Sequence, residues 1–448
     1  MDRKKVLVFG SGISGISASR LLEMNGMDVV LYDGNASLDQ EKLRAQLGNE
    51  SKAAIVVGNF PEELIDEISM AVLSPGVPTD LPIVEKMREA GIQISGEIEL
   101  AYTYGKGDVL AITGTNGKTT TTSLLGEIMR AYQEEVYVVG NIGNPYTAEA
   151  SSMTEDAIVV AEISSFQLET IHTFRPKVSA ILNITPDHLN RHHTMEAYIQ
   201  AKADIARNQT KEDTCVLNYE DETTRKIGET LQTNVLYFSS QHILDKGIYL
   251  EDGNIICHID EKICVCHTSE LQLLGVHNFE NVMAAVGMAV AYGVPMDTIR
   301  RVVKAFAGVA HRIEFVCEKG GVAYYNDSKG TNPDAAIKGI QAMNRPTVLI
   351  GGGYDKDSEF DEWIESFEGK VKLLVLLGAT REKIADAARR CGFDKIAMAD
   401  TFEEAVAMSV AHAEAGDAVL LSPACASWGM FKNYEERGDK FKELVKAL

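Results

Sequence analysis

The chain has 448 residues, of which 45% are hydrophobic, and a formal net charge of -22. Its length suits about three globular domains. A chain this acidic is not expected to bind nucleic acid, because the phosphates of the nucleic acid repel it. The first apolar run, from Val6 to Phe9, is too short for a signal peptide, and no run is long enough to span a bilayer. The seven cysteines lack disulfide-like spacing, as in a reducing compartment. We therefore expect a cytoplasmic protein with neither a nucleic-acid nor a membrane partner.

Residues 6–33 have the pattern of a strand, a glycine-rich turn, a helix and a second strand. The turn contains Gly10, Gly12 and Gly15, and Asp33 follows about 20 residues later, which is the spacing of a dinucleotide fingerprint. Three interpretations fit this pattern. The segment is an NAD site, a Rossmann-like domain without a ligand, or a site for another diphosphate nucleotide, such as a UDP-sugar, held at a helix N-terminus.

Residues 108–122 predict a buried strand, a glycine loop and the start of a helix. Gly114 and Gly117 allow backbone N–H groups to turn towards an anion, Lys118 offers a cation to outer phosphates, and Thr119 offers a hydroxyl to magnesium. The commonest phosphate-loop sequence would have glycine where this chain has Ile112. The alternative is a strand–turn–helix connection with an incidental lysine.

Polar residues follow several of the next predicted strands. Because ligands bind at the carboxyl ends of parallel strands, Glu162 is expected as a magnesium ligand opposite Thr119; alternatively it caps the helix that follows. Asp187 and His188 are further ligand candidates. Lys202 lies four residues after Tyr198, on the same helix face. An unmodified ammonium near magnesium would be repelled, so Lys202 is either a surface charge or chemically modified.

Two later segments leave alternatives open. Residues 254–266 alternate like a hairpin, although a cluster of Cys257, His258, Cys264, Cys266 and His267 could also bind zinc. The hairpin is favoured because paired C-x-x-C spacing is absent. An Ala-rich helix begins near His277, where Asn278 and Asn281 either satisfy free helix N–H groups or contact a nucleotide base. Beyond residue 310, four strands predict another α/β sheet, and Cys425, which has no adjacent base, is interpreted as a packing residue.

Six motifs occur in an order that resembles the Mur ligases and folylpolyglutamate synthetases. They lie at residues 113–119, 162–169, 183–188, 277–281, 311–312 and 326–332. The Rossmann-like beginning favours Mur ligases that add the first or second amino acid, and the tail, residues 421–439, is similar to the branch that adds D-glutamate.

The resemblance covers essentially the whole chain and implies three α/β domains. A Rossmann-like UDP-substrate-binding domain would occupy residues 1–106, and a central P-loop ATPase-type domain with a mainly parallel sheet would occupy 107–309. A C-terminal Rossmann-like domain that binds the amino acid would occupy 310–448. The implied activity is ATP-dependent ligation of D-glutamate to UDP-N-acetylmuramoyl-L-alanine through an acyl phosphate, giving ADP and phosphate in peptidoglycan precursor synthesis. The implied cofactors are ATP and Mg²⁺, and the enzyme is expected to be a monomer.

The same resemblance assigns roles to individual residues. The catalytic residues would be Lys118, Glu162, His188 and Lys202, and the magnesium ligands would be Thr119, Glu162, His188 and a carbamylated Lys202. The ATP-binding residues would be Gly114, Thr115, Asn116, Gly117, Lys118, Thr119, Thr120, Asn278, Asn281, Arg312 and Asp327. The residues that bind the UDP-substrate would be Ile13, Ser14, Asp33, Ser74, Pro75, Gly76, Asn141, His188 and Lys329. D-Glutamate would be bound by Thr331, Lys356, Ser427 and the main chain around Tyr434.

Two rival functions remain at this stage. An NAD-dependent enzyme built on the first glycine motif would leave the phosphate loop and the tail unexplained. A non-catalytic scaffold regulated by nucleotide would bind through Lys118 but have no turnover.

Overall fold

The computed structural model describes residues 4–141, 143–355 and 358–448. The chain forms two compact units: Met1–Val265 with Glu280–Val302, and Cys266–Phe279 with Val303–Leu448. Three separate, mainly parallel sheets run through the chain, each accompanied by helices. The predicted α/β fold class is therefore confirmed.

The first sheet is built from residues 5–96. Its strands are β1 (Lys5–Phe9), β2 (Asp28–Asp33), β3 (Ala54–Val57), β4 (Ile68–Leu73) and β5 (Gln93–Gly96), with helices α1 (Ile13–Met24), α2 (Gln40–Leu47), α3 (Pro82–Glu89) and α4 (Glu97–Tyr104). The strands are parallel in the order β3-β2-β1-β4-β5. The strand order reverses between β1 and β4, so the loops after these two strands flank the crevice where such sheets bind ligands.

The second sheet has nine strands. They are β6 (Asp108–Thr113), β7 (Val136–Gly140), β8 (Ile158–Glu162), β9 (Val178–Ile181), β10 (Thr214–Asn218), β11 (Asn234–Ser239), β12 (Gly247–Glu251), β13 (Asn254–His258) and β14 (Lys262–His267). Its order is β14-β13-β12-β11-β10-β9-β6-β8-β7. The pairs from β7 to β12 are parallel, and β12 pairs with β13 antiparallel. β8 is buried at every position, as expected for a central parallel strand covered on both faces.

The predicted hairpin near residue 260 is confirmed as β13 and β14, which are neighbours in the sheet. Within the described residues, no group of three or more His, Cys, Asp or Glu side chains could hold a metal ion. The helices of this part of the chain are α5 (Lys118–Arg130), α6 (Tyr146–Glu149), α7 (Ser165–Leu168), α8 (Leu189–His192), α9 (Met195–Ala203), α10 (Glu222–Thr230), α11 (Val276–Tyr292) and α12 (Met296–Ala305).

The third sheet lies in the second unit. Its strands are β15 (Glu314–Lys319), β16 (Val322–Asn326), β17 (Thr347–Gly351), β18 (Val371–Leu376), β19 (Ile396–Met398) and β20 (Ala418–Leu421), with helices α13 (Pro333–Gln341), α14 (Asp361–Glu365), α15 (Arg381–Arg390), α16 (Phe402–His412) and α17 (Tyr434–Lys446). The order is β15-β16-β20-β17-β18-β19, and only the β15–β16 pair is antiparallel among these described strands. Hydrophobic side chains cover both faces of the sheet.

Two smaller expectations can be checked against this fold. Cys425 is buried in the core of the third sheet, and burial raises the pKa of its thiol to about 11, so the packing interpretation is confirmed. A search of the described helices finds none with the length and apolar character needed to cross a bilayer.

Candidate active site

The loop between β6 and α5 has the backbone that its glycines predict. Gly114 and Gly117 have φ angles of 151° and 85°, which other residues rarely adopt. A Cβ at Gly117 would also lie 2.1 Å from Oδ1 of Asn281. The helix begins at Lys118, directly after Gly117, so its N-terminus faces the loop.

Lys118 folds back over this phosphate loop. Its Nζ donates to the carbonyl oxygens of Gly114, at 2.8 Å, and of Thr115, at 2.9 Å. The loop is also clamped from the end of β9. Asn183 accepts from the amides of Thr115 and Asn116 and returns a side-chain bond to the Asn116 carbonyl at 3.1 Å. These contacts fix the loop's shape through protein atoms alone.

Glu162 ends β8 beside the phosphate-loop strand, opposite Ile112. Its side chain is 1% exposed, and Nδ2 of Asn141 donates to Oε1 at 2.7 Å. Oε2 is buried and forms no hydrogen bond with any described residue. A buried carboxylate oxygen without a donor is costly unless a ligand satisfies it, so this atom fits a cation. The capping alternative for Glu162 is wrong, because Ser164 and Gln167 form the capping box of α7.

Lys202 reaches the phosphate loop from α9. Its Nζ donates to the Gly114 carbonyl at 2.8 Å and lies 4.7 Å from the centre of the Tyr198 ring. The side chain is only 2% exposed, so the surface-charge alternative is wrong. Burial, assisted by the charge of Lys118, lowers the pKa of Lys202 to about 7. A large part of this amine is therefore neutral near neutral pH.

His188 lies at the start of α8 with a φ of 52°, an uncommon conformation for a residue other than glycine. Its Nε2 is 3.4 Å from Oδ2 of Asp187, and its ring centre is 4.9 Å from that of Phe166. Neither a hydrogen bond nor an ion pair joins it to Glu162 or Lys202 within the described chain. The protein atoms alone thus do not connect these three candidate magnesium ligands.

The first glycine motif forms a compact turn that is hydrogen-bonded to the end of β2 and to the turn after β4. Asp33 accepts from the amide of Ser11 at 2.9 Å and from its hydroxyl at 2.7 Å. Burial would raise the pKa of Asp33, but the hydrogen bonds from Ser11 and Asn35 outweigh it and lower the pKa. The hydroxyl of Ser74 donates to the Gly10 carbonyl at 3.2 Å, which joins the turns after β1 and β4.

The other predicted UDP-substrate residues surround these turns. Ile13 and Ser14 begin α1, and the side chain of Ile13 is 77% exposed. Pro75 and Gly76 complete the turn after β4, where the amide of Val77 donates to the Ser74 carbonyl at 2.9 Å. In the first unit the structure therefore brings together residues 10–14, 33 and 74–77.

In the second unit, Asp327 is buried at the end of β16. Its Oδ2 accepts from the hydroxyl of Ser422 at 2.6 Å, and its Oδ1 accepts from the amide of Ile313 at 3.2 Å. Burial raises the pKa of Asp327 to about 7, despite the Ser422 hydrogen bond and the positive charge of Arg312. The backbone of Lys329 bonds to the His311 carbonyl at 2.9 Å in the same loop.

Arg437, to which the sequence assigned no role, holds the loops of the second unit together. Its side chain is 1% exposed and donates three hydrogen bonds: to the Ser328 hydroxyl at 2.9 Å, the Ser328 carbonyl at 2.8 Å and the Cys425 carbonyl at 3.1 Å. The Ser328 hydroxyl in turn donates to the Tyr434 carbonyl at 2.8 Å. The arginine thereby connects the loops that contain Thr331, Ser427 and Tyr434. Only its place in the tail motif could have indicated it.

Two of the remaining predicted residues, Asn278 and Asn281, lie in the first turns of α11. The Nδ2 of Asn278 donates to the Leu274 carbonyl at 2.7 Å, and Oδ1 of Asn281 is 3.5 Å from the hydroxyl of Thr121 in α5. Asn281 thus lies beside the phosphate loop, while the choice between a cap and a base contact for Asn278 stays open. Lys356 lies outside the described residues.

Comparison with known proteins identifies a family that matches this chain. Family models match three segments of the chain: a Mur ligase MurD-like N-terminal domain at residues 4–96, a Mur ligase middle domain at 112–289, and a Mur ligase glutamate ligase domain at 311–425. UDP-N-acetylmuramoylalanine--D-glutamate ligase from Lachnoclostridium phytofermentans is 58% identical, over 99% of this chain and 98% of that protein. The enzyme of the same name from Lachnospira eligens is 56% identical over 100% of both chains, and that from Clostridioides difficile is 48% identical over 99% of both.

Solved structures support the same architecture. UDP-N-acetylmuramate-alanine ligase MurC from Thermotoga maritima matches with a TM-score of 0.58 and 18% identity over 99% of both chains. MurF from Acinetobacter baumannii matches with a TM-score of 0.62 and 17% identity, over 98% of this chain and 93% of that one. At such identities the likeness shows the fold alone.

The chain therefore belongs to the Mur ligase family. Within that family, its full-length similarity at 48–58% identity is to UDP-N-acetylmuramoylalanine--D-glutamate ligases.

Proposed function

We propose that this protein is an ATP-dependent ligase that joins D-glutamate to UDP-N-acetylmuramoyl-L-alanine in peptidoglycan precursor synthesis. The substrate carboxylate is a poor electrophile, so its oxygen first takes the γ-phosphoryl group of ATP, releasing ADP. The amine of D-glutamate then attacks the acyl carbon, loses a proton, and expels phosphate as the amide bond forms. One observation carries this chemistry: a phosphate loop that shares its Gly114 carbonyl with a second, buried lysine, Lys202. The choice of amino acid rests on the relatives.

The phosphate loop would bind ATP through the backbone of residues 114–117 and the start of α5. Lys118 would exchange its two carbonyl partners for outer phosphate oxygens, because phosphoryl transfer depends mainly on positioning and charge neutralisation. The remaining ATP-binding residues proposed are Thr119, Thr120, Asn278, Asn281, Arg312 and Asp327.

The residues proposed to hold magnesium fit that ion. Glu162 has a buried carboxylate oxygen for which the described residues provide no donor, and oxygen ligands of this kind are what Mg²⁺ prefers. Thr119, His188 and a modified Lys202 would complete the ligand set. Bound Mg²⁺ would screen the substrate carboxylate from the γ-phosphate, both of which are anionic. Asn141, which holds Oε1 of Glu162, would orient this carboxylate.

Lys202 is proposed to be carbamylated. The neutral amine attacks carbon dioxide at carbon, and the proton released goes to solvent, which replaces a buried cation by an anionic oxygen ligand. The low pKa and the burial of Lys202 favour this reaction because they leave the amine partly neutral. Protein incubated with ¹³C-bicarbonate should show a carbamate carbon resonance by NMR that Lys202→Met removes. A spectrum unchanged by that substitution would reject the modification.

The other substrates are assigned by their chemistry. Ser11 orients Asp33 towards the uridine end of the UDP-substrate, together with Ile13, Ser14 and residues 74–76. Lys329, Asn141 and His188 would complete that site. Thr331, Lys356, Ser427 and the main chain at Tyr434 would receive D-glutamate, whose two carboxylates need several donors.

Three broader expectations stay proposals: a cytoplasmic location, a monomeric state, and domain boundaries at residues 106/107 and 309/310. Light scattering during size-exclusion chromatography would measure the oligomeric state. Limited proteolysis would test the boundaries, since exposed linkers are cleaved before domain interiors.

The function is tested by ATP-dependent phosphate release with UDP-N-acetylmuramoyl-L-alanine and one amino acid at a time, in bicarbonate buffer. We expect release with D-glutamate and not with L-glutamate, L-lysine or meso-diaminopimelate. Release with another amino acid would keep the mechanism and change the specificity. Folded protein that releases phosphate with none of them, yet binds NAD, would support the rival dehydrogenase interpretation.

A further inference from the structure

One guanidinium, that of Arg191, connects the loop of His188 to the first sheet. Arg191 lies in α8, three residues after His188. Its Nη2 donates to the Val77 carbonyl at 2.9 Å and to Oε2 of Glu169 at 2.7 Å. Val77 directly follows the turn of residues 74–76, which is proposed to bind the UDP-substrate. One side chain therefore bridges two segments of the same substrate site that are 114 positions apart in sequence.

Glu169 holds this guanidinium and gathers the surrounding segments. Its Oε2 also accepts from the hydroxyl of Thr79 at 3.3 Å, and its Oε1 lies 3.3 Å from Nδ1 of His192. The side chains of Arg191 and Glu169 are only 12% and 15% exposed. A shielded ion pair with shared partners has a fixed geometry, unlike a pair of mobile surface charges.

The same arginine contacts His188 through an aromatic ring. Its Cζ lies 5.0 Å from the centre of the Phe166 ring, and the ring centre of His188 lies 4.9 Å from that of Phe166. His188 has a left-handed backbone, which persists only where neighbours support it. Phe166 and Arg191 provide that support from the side of the UDP-substrate turn.

The proposed function, on which this inference rests, requires a fixed distance between the UDP-substrate turn and the His188 loop. The UDP-substrate has a limited reach between its uridine and its reacting carboxylate. The turn that holds one end must therefore keep a fixed distance from the loop near the other, because a displacement of about 1 Å can cost about 100-fold in rate. We propose that Arg191, held by Glu169, is a positioning residue that keeps the UDP-substrate turn at a fixed distance from the His188 loop.

The test compares Arg191→Met and Arg191→Lys with a matched control, Arg88→Met. Arg88 donates to the Thr79 carbonyl at 2.8 Å, three residues beyond this turn, and lies on α3 beside the first sheet. Among the described residues, no hydrogen bond or ion pair joins Arg88 to the His188 loop. Steady-state kinetics are measured with each of the three substrates varied in turn. For Arg191→Met we expect kcat/KM for the UDP-substrate to fall about 10- to 100-fold, while KM for ATP and for D-glutamate stays within about threefold.

Arg191→Lys should recover part of the lost kcat/KM, since an ammonium keeps the ion pair with Glu169. It should not recover all of it, because the shorter point charge reaches Glu169 and the Val77 carbonyl together less well than a guanidinium does. Arg88→Met should stay within about threefold of the wild-type enzyme. A similar rise in KM for all three substrates would overturn the inference. So would an Arg191→Met variant whose kcat/KM for the UDP-substrate is no lower than that of Arg88→Met. If Arg191→Met does not fold, Glu169→Gln, which keeps the side-chain shape, must show the same selective loss. A wild-type protein that makes no product with D-glutamate would instead overturn the proposed function, and the inference with it.

Discussion

Two buried cations, Lys202 and Arg437, illustrate two uses of a positive charge inside this protein. Both side chains are almost fully buried, at 2% and 1% exposure. Among the described residues, Lys202 donates one hydrogen bond, to the Gly114 carbonyl, whereas Arg437 donates three, to oxygens of Ser328 and Cys425. Burial lowers the pKa of both side chains, that of Lys202 to about 7 and that of Arg437 to about 10.

The difference follows from the side chains as well as from their surroundings, because a guanidinium has a higher ordinary pKa than an ammonium and presents more donors to neighbouring oxygens. Arg437 remains charged at neutral pH, because its pKa stays well above 7 and its three bonds partly replace lost hydration. It therefore suits a structural task, the joining of three loops. Burial and the nearby charge of Lys118 make Lys202 lose its proton more easily, so its amine is open to chemistry.

Replacing Lys202 should have the largest effect. For Lys202→Met we expect phosphate release to fall at least about 100-fold, as when one electrostatic group is removed from an active site. The temperature of unfolding should be unchanged or higher, because an apolar chain replaces a poorly satisfied buried amine. Activity assays and thermal unfolding check both, with the exposed Lys246→Met as control. A clear loss of stability would place Lys202 in the same class as Arg437.

Replacing Arg437 should affect stability in the opposite direction. Arg437→Met leaves two buried carbonyls and a hydroxyl without their donor, so the free energy of unfolding should fall by about 2–4 kcal/mol. Urea denaturation with hydrogen exchange in the second unit measures this. Arg390→Met, which removes an exposed ion pair with Asp361, should leave the denaturation midpoint unchanged. If the two variants behave alike, the three bonds of Arg437 do not stabilise the loops.

Asp327 extends the contrast to a buried anion close to Arg437. Its folded pKa, about 7, lies above its unfolded value, so the folded state binds more protons between about pH 4 and pH 7. Stability contributed by this group is complete below that window and is lost as the pH rises through it, by at most about 1.4 kcal/mol per pH unit. Denaturation midpoints from about pH 5 to about pH 8 should fall more steeply in the wild-type protein than in Asp327→Asn. Parallel slopes would show that Asp327 ionises normally.

The smallest effect is expected at Tyr198. Tyr198→Phe removes the 3.0 Å hydrogen bond to the Thr115 hydroxyl but keeps the ring beside Lys202. We expect a loss of about 0.5–1.5 kcal/mol in stability and an unchanged carbamate resonance. Tyr198→Leu, which removes the ring as well, serves as the comparison. Loss of the resonance in Tyr198→Phe would mean that the hydroxyl, and not burial, controls the amine.

The local parts of the site could be predicted from the sequence because neighbouring residues determine them. The glycines around Lys118 permit the backbone angles that the loop needs, and Glu162 ends a strand that is otherwise apolar. The capping alternative for Glu162 could have been rejected too, since Ser164 and Gln167 already have the spacing of a capping box.

The positioning residues could not be predicted, because their partners are distant in sequence. Arg437 bonds to Ser328 across 109 positions and Arg191 to Val77 across 114. No local pattern separates such an arginine from a surface arginine. Lys202 shows the same limit: helical spacing placed it beside Tyr198 but could not show whether that face is buried.

Because Lys118 donates to carbonyls of its own loop, an anion binds this lysine only by replacing those carbonyls as acceptors. An incoming anion must compete with the carbonyls of Gly114 and Thr115 for this ammonium. A small ion offers little more than those carbonyls already provide, whereas a polyphosphate also reaches the amides of the loop and the end of α5. The lysine therefore favours anions that are long as well as highly charged. Inorganic phosphate released in a reaction would leave readily.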